Sequence, residues 1–260
     1  MTLAAVNAPG GLLGRLPTVD LAGIQAVADL QRRFDRKYLV ARTRIDQLLA
    51  ALPEDTRVLE VAGRRLTDYS SFYFDTRDRR TYRDHVMGRR RRFKVRTRHY
   101  GDPAAAMLEV KCKGRRGQTI KHRWPHLSAD PETLDDSALR LVESALLEQY
   151  GFDTPTGLSL AAAIRFQRIT LLLPTAGERV TIDLDLTIAG NGREVRLGEH
   201  HALVETKEPQ RRGHATRALT ALGLRPDRVS KYCVGMAVTH PELRGNAWRP
   251  ALRVLAPSSG

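Results

Sequence analysis

Phe93-Lys94-Val95-Arg96-Thr97-Arg98 and, further on, Leu108-Glu109-Val110-Lys111-Cys112-Lys113 alternate strictly between uncharged and ionic side chains. Successive side chains of a β-strand point to opposite faces. Phe93, Val95 and Thr97 therefore share one face, and Lys94, Arg96 and Arg98 the other. In the second stretch Leu108, Val110 and Cys112 oppose Glu109, Lys111 and Lys113. A half-buried strand normally sets apolar residues against a mixed polar face. Here the polar face is ionic throughout.

The pattern recurs. Lys121 and Arg123 oppose Ile120 and Trp124, and Arg179, Asp183 and Asp185 oppose Val180, Ile182 and Leu184. Glu205 shares a face with Lys207, and Asp35 with Lys37. One such strand reads as the solvated side of a sheet. Strand after strand of this kind does not, because outer faces mix in Ser, Thr and Gln, and like charges side by side repel. A closed barrel resolves the pattern, with apolar residues packed outward under helices and the ionic face lining a lumen. A flat basic sheet that binds RNA is the competing geometry. Single-strand readers interleave cations with exposed aromatic rings. Phe93 and Trp124 instead alternate off the ionic face, and aromatic residues make up only 6% of the chain. This favours a target recognised by its phosphates, with no nucleic acid expected.

The rest of the composition is that of a globular protein: 260 residues, 42% hydrophobic and 28% charged, with a net charge of +14. Such a field draws polyanions but does not choose among nucleic acid, anionic membrane and phosphorylated small molecules. Cys112 and Cys233 lie far apart and read as reduced thiols. No apolar run approaches the ~20 residues of a membrane span, and the first residues lack the pattern of a signal peptide. A cytoplasmic location is the expectation.

Period-two patterning predicts strands at 33–41, 68–76, 91–100, 106–113, 118–124, 164–173, 178–188 and 201–207. Helical periodicity falls at 43–52, 133–150, 209–223 and 228–239. The expected fold is α+β, an eight-stranded antiparallel β tunnel with flanking helices. Residues 1–30 read as a flexible leader, 31–240 as the tunnel domain and 241–260 as a surface tail. The run Arg89–Arg92 reads as a solvated turn or as a guide at the tunnel mouth, and Asp75-Thr76 as a strand end. The histidines show no zinc-like spacing.

The ordered set of short motifs resembles the VTC domain of polyphosphate polymerases, within the triphosphate tunnel metalloenzyme superfamily that includes the CYTH proteins. The motifs are ArgLysTyr (36–38), TyrPheAspThr (73–76), LysValArgThrArg (94–98), LeuGluValLysCysLys (108–113), IleLysHisArg (120–123), ArgValThrIleAsp (179–183), ValGluThrLys (204–207) and SerLysTyrCys (230–233). The resemblance implies transfer of the γ-phosphoryl of ATP to a growing polyphosphate chain with Mn²⁺ or Mg²⁺. It implies phosphate contacts from Lys37, Arg96, Arg98, Lys111, Lys121, Arg168, Arg179 and Lys231, with Glu205 as the metal ligand. Of these, Arg96, Arg98, Lys111, Arg168 and Arg179 are the candidate catalytic group. The alternation adds Lys94, Lys113, Arg123 and Lys207 as phosphate- or nucleotide-binding candidates. Glu109, Asp183 and Asp185 are further metal candidates, the two aspartates equally suited to ion pairs. One departure stands out: CYTH relatives open with Glu-x-Glu-x-Lys, where this chain has Arg33, Asp35 and Lys37. That favours the polymerase branch over a two-metal hydrolase. Hydrolysis of tripolyphosphate or nucleotide, and binding without turnover, are the alternatives. The implied ligands are ATP and inorganic polyphosphate or pyrophosphate, and any membrane partner is a separate chain.

Overall fold

The computed structural model describes residues 11–28, 33–115, 118–126, 128, 130–151 and 155–255. In chain order the first half contains α1 (Leu12–Arg15), β1 (Thr18–Val19), α2 (Leu21–Ala28), β2 (Phe34–Ala41), α3 (Ile45–Ala50), β3 (Arg57–Leu59), β4 (Thr67–Asp75), α4 (Arg80–Val86), β5 (Phe93–Tyr100) and β6 (Asp102–Lys113). The second half contains β7 (Thr119–Pro125), α5 (Asp136–Tyr150), β8 (Ser159–Leu173), β9 (Glu178–Gly190), β10 (Arg193–Leu197), β11 (His201–Glu208), α6 (His214–Ala221), α7 (Lys231–Thr239) and α8 (Arg249–Leu255).

All eight expected strands are present. They pair antiparallel in the order β2-β11-β9-β8-β4-β5-β6-β7 and wrap into the tunnel. The wall is not closed by hydrogen bonds: β2 and β7 end the path and share no pairing among the described residues. The short strands β1, β3 and β10 are additions, β3 and β10 pairing with β8 and β9 and β1 with β3.

The outer face is apolar, as the alternation requires. Tyr38, Val40, Ile169, Leu171, Val180, Ile182 and Val204 pack beneath Ile45, Leu48 and Leu49 of α3 and Ala215 and Leu219 of α6. Around the wall, Phe72, Phe74, Phe93, Val95, Leu108, Val110 and Cys112 pack beneath Ala138, Val142, Ala145 and Leu146 of α5. Those four positions recur at helical spacing. Asp135 caps α5 by accepting from the Ala138 amide at 2.8 Å, and Gly151 ends it with φ +68°. Both cysteines are buried and free.

A third cluster lies on the lumen side. Leu39, Tyr73, Ile164, Phe166, Leu186, Ile188 and Leu203 pack against Tyr232, Cys233 and Met236, so α7 covers one end of the lumen face. Trp248, Ala251 and Leu255 join it, and Gly198 donates to the Leu255 carbonyl at 2.8 Å. Residues 241–255 are therefore packed structure, not a surface tail, anchored by a short spacing of apolar residues too brief to stand out in the sequence. The leader fares likewise where it is described. Leu13 is buried against α3 and Ile24 against Leu59 and Leu172. Residues 1–10 and 256–260 lie outside the described residues.

The amino end of α6 is held by two buried carboxylates from the ends of β9 and β11. Glu178 accepts from the amides of His214 (2.7 Å) and Ala215 (3.0 Å), and Glu208 from that of Thr216 (2.7 Å). A Cβ on Gly213 would collide with both carboxylates. Gly213→Ala is expected to cost about 2–3 kcal/mol by displacing these charge-assisted bonds. A thermal melt would read the loss, and an unchanged midpoint would refute it.

Candidate functional site

Strand register brings the expected side chains together. Lys94 lies opposite Lys111, and Lys111 opposite Lys121, a ladder of three lysines across β5, β6 and β7. Arg96 lies opposite Glu109, Arg168 opposite Asp183, Lys37 opposite Glu205, and Lys207 opposite Arg179. Charges meet across the lumen: Lys37 of β2 and Lys94 of β5 reach the adjacent residues Val229 and Ser230.

The three lumen carboxylates are not equivalent. Asp183, fully buried, takes a bidentate grip from Arg168, Nε to Oδ1 at 2.5 Å and Nη2 to Oδ2 at 2.8 Å. The Lys231 ammonium binds its Oδ2 as well. Burial opposes ionisation, but Arg168 and Lys231 pull this carboxyl down to about 2. Glu109 is engaged by Arg96, with Nε to Oε2 at 2.7 Å, and by the Tyr100 hydroxyl at 3.2 Å, with Lys121 and Arg123 at 3.6 and 3.9 Å. Glu205 differs. Its nearest cation, Lys207, stands 4.0 Å away, and it accepts no hydrogen bond among the described residues. Burial would raise its carboxyl, yet Lys207, Lys37, Arg168 and Lys231 hold it well below the usual carboxylate range. It is ionised and open.

The cations outnumber these carboxylates and are held in place by neutral partners. Lys37 donates to the Val229 carbonyl at 3.2 Å and Lys94 to the Ser230 hydroxyl at 3.0 Å, both on the segment leading into α7. Arg98 donates to Ser71 Oγ at 2.8 Å, and the buried Nε of Arg179 has no hydrogen-bond partner among the described residues. Lys111, buried beside Arg96, is pushed well below the ordinary lysine range. Lys231 reaches the lumen from the first turn of α7.

Aromatic rings do stand on the ionic face, contrary to the reading from Phe93 and Trp124. Arg168 lies over Tyr69 (4.7 Å to the ring centre) and Phe166 (5.2 Å), Arg98 over Tyr69 (5.4 Å), and Arg123 over Tyr100 (5.0 Å). These rings hold guanidinium planes by cation–π contact. Tyr73, which sequence reasoning passed over, accepts from Arg96 Nη1 at 2.8 Å. Burial opposes its ionisation, but Arg96, Arg98 and Lys94 bring its hydroxyl down to about 8. Tyr73 stacks on Tyr232 (5.0 Å), whose hydroxyl donates to the buried Asp75. Asp75 ends β4 as expected, but also accepts from the Thr81 and Tyr82 amides and so ties α4 and α7 to the lumen.

Asp185 leaves the ionic face. A bulge opposite Phe166, with φ +53° at Asp185, inserts one residue into β9 and reverses the alternation. Asp185 pairs with Arg42 at 2.5 Å instead, and Leu186 and Ile188 take the lumen side. Lys121 and Arg123 are part-exposed, Lys113 stands at the mouth, and Asp35 pairs with Arg33 at 2.8 Å.

The sequence profile of the VTC domain matches residues 32–240, most of the chain. The chain belongs to the VTC domain family. No curated protein matches it. Among solved structures, a candidate adenylyl cyclase from Hippeastrum, described as having a dominant triphosphatase activity, aligns over 80% of this chain and 96% of its own, with 14% identity and a TM-score of 0.52. A candidate adenylate cyclase from Bacillus halodurans aligns over 76% and 93%, with 13% identity and a TM-score of 0.43. The fold is thus that of the triphosphate tunnel proteins. No helix among the described residues of this VTC domain is long and apolar enough to cross a membrane.

Triphosphate tunnel proteins imply a divalent cation. Among the described residues no group of three His, Cys, Asp or Glu side chains is arranged for one. Arginines claim Glu109 and Asp183, which leaves Glu205. Mg²⁺ commonly takes one or two carboxylates together with substrate phosphates, and Glu205 suits that shared arrangement. It does not suit a metal cage of its own.

Burial brings Lys207 down to about 7 and Lys231 to about 8, each partly opposed by its neighbouring carboxylate. In the empty tunnel these ammoniums lose protons as pH rises, whereas a bound anion favours the charged form. Tripolyphosphate affinity is therefore expected to fall as pH rises from 7 to 9, with proton uptake on binding. Titration calorimetry in buffers of different ionisation enthalpy would detect both, and a flat profile would refute the assignment.

Proposed function

We propose that this VTC domain is a metal-dependent polyphosphate polymerase that transfers the γ-phosphoryl of ATP to the end of an inorganic polyphosphate chain. The observation that carries the reading is the lumen's asymmetry. Its cations are fixed and in excess, two of its carboxylates are neutralised, and among the described residues Glu205 alone is left open.

Phosphoryl transfer asks a protein mainly for alignment and charge neutralisation. Here both reactants are polyanions, so their mutual repulsion is the main obstacle. Arg96, Arg98, Arg168 and Arg179 offer forks that orient phosphate oxygens, while Lys111, Lys94, Lys121, Lys37 and Lys207 supply compact charge. Mn²⁺ or Mg²⁺ held by Glu205 and the phosphates would supply further neutralisation of the transferring group. A terminal oxygen of the acceptor chain attacks the γ-phosphorus as the bond to the β–γ bridging oxygen breaks. ADP leaves, and the chain is one phosphate longer.

Asp35 supports polymerase over two-metal hydrolase, since it stands in ion contact with Arg33. The decisive test incubates purified protein with ATP, a short polyphosphate primer and Mn²⁺ or Mg²⁺, and separates products by gel. ADP and lengthened chains in step are expected. Orthophosphate from tripolyphosphate without polymer would identify a hydrolase, and binding without turnover a non-catalytic module.

A further inference from the structure

The run Arg89–Arg92 plays no part in the lumen, yet it is not simply a solvated turn. Arg89 approaches Asp84 at 3.6 Å, and Arg92 donates back to the Arg89 carbonyl at 2.5 Å. Arg90 and Arg91 have no such partner among the described residues. With Lys113 and Arg115 they line a cavity of about 560 Å³ against the last turn of α5, Leu147–Gly151. The floor is firm: the Tyr150 hydroxyl donates to the Arg92 carbonyl (2.6 Å) and accepts from the Lys113 amide (2.7 Å). Glu148 is the one carboxylate in the lining. The carboxyl pole of α5 adds partial negative charge, but four full cations exceed both.

Lys113 decides what this groove is for. It is the third member of the alternation Glu109, Lys111, Lys113, so it belongs to the lumen wall, and it also lines the outer cavity. It is the last residue of β6, paired with Thr119 of β7, and so stands at the end of the wall. Lys113 therefore links the row of lumen cations to the cations of the groove.

We infer that the groove formed by Arg90, Arg91, Lys113 and Arg115 is a second polyphosphate subsite, holding the part of a chain that extends beyond the tunnel. This rests on the polyanion reading of the lumen. The groove's chemistry favours a linear anion without bases: four cations and a single ring, Tyr150, line it among the described residues, whereas single-stranded nucleic acid is held on successive rings. Occupying both sites lets long chains bind more tightly than short ones, because the second contact is intramolecular.

The test compares full-length protein with the variant Arg90→Gln/Arg91→Gln/Arg115→Gln, all three exposed. Affinities are measured for tripolyphosphate and for long-chain polyphosphate at low and moderate salt. The variant is expected to keep tripolyphosphate affinity and lose about tenfold or more on the long chain, with a shallower salt dependence. Equal long-chain affinity in both proteins, with wild type binding tripolyphosphate, overturns the groove and spares the lumen. Failure of wild type to bind either anion overturns the lumen reading itself. Loss of tripolyphosphate binding in the variant, or selective loss of RNA or anionic-vesicle binding, overturns the assignment of a separate polyphosphate groove.

Discussion

Glu205→Gln is expected to lower phosphoryl transfer by on the order of 10²–10³-fold while tightening the metal-free binding of tripolyphosphate. The two effects come from one charge. Glu205 is the lumen carboxylate that no arginine claims, and its oxygens are 4.0 Å or more from the nearest ammonium. On the proposed role, removing its charge would take away the protein's hold on a divalent ion. The same change leaves Lys37, Lys207, Arg168 and Lys231, whose fields surround it, facing an anion without a competing carboxylate. A general loss of structure would weaken both properties together. Opposite signs would isolate Glu205 as the metal ligand, and unchanged turnover with Mn²⁺ or Mg²⁺ would remove it from that role. Turnover should be read alongside binding by calorimetry in the presence of a chelator.

Which carboxylate stays open is not legible from alternation. Glu109, Asp183 and Glu205 occupy equivalent inward positions on their strands. Their fates depend on register: Arg96 opposite Glu109 and Arg168 opposite Asp183, but Lys37 and Thr181 on either side of Glu205. The alternation itself was legible, because apolar outer faces and ionic inner faces repeat in β5, β6, β7 and the first half of β9. Family motifs then pointed to what periodicity lacks, the presence in the lumen of Lys231 from a helix. Asp185 escaped because a single inserted residue reverses parity, and nothing around Leu184-Asp185-Leu186 announces a bulge. The inner aromatics escaped for another reason. In Tyr69–Phe74 both faces carry rings, and only the hydroxyls tell them apart: Tyr69 and Tyr73 turn inward to arginines, Phe72 and Phe74 outward to α5.

Asp183 provides the largest stability effect. It is fully buried and satisfies the buried Arg168 and the part-buried Lys231 at once. Asp183→Asn keeps the shape and removes the charge, leaving both cations under-compensated in a lumen that already carries an excess. Breaking a buried pair from one side costs about 3–5 kcal/mol, so the empty variant should melt well below wild type. The loss has a specific remedy. An anion that binds the folded lumen and not the unfolded chain stabilises in proportion to its occupancy, so tripolyphosphate should raise the variant's melting temperature more than the wild type's. A pH series gives an independent check. Asp183 titrates near 2 in the folded protein and about 4 when unfolded, so its contribution is complete above pH 4 and fades as pH falls toward 2. The wild-type and variant curves should converge over that acid range. Equal melting temperatures at neutral pH, or no differential response to tripolyphosphate, would mean that Asp183 does not compensate the lumen cations Arg168 and Lys231.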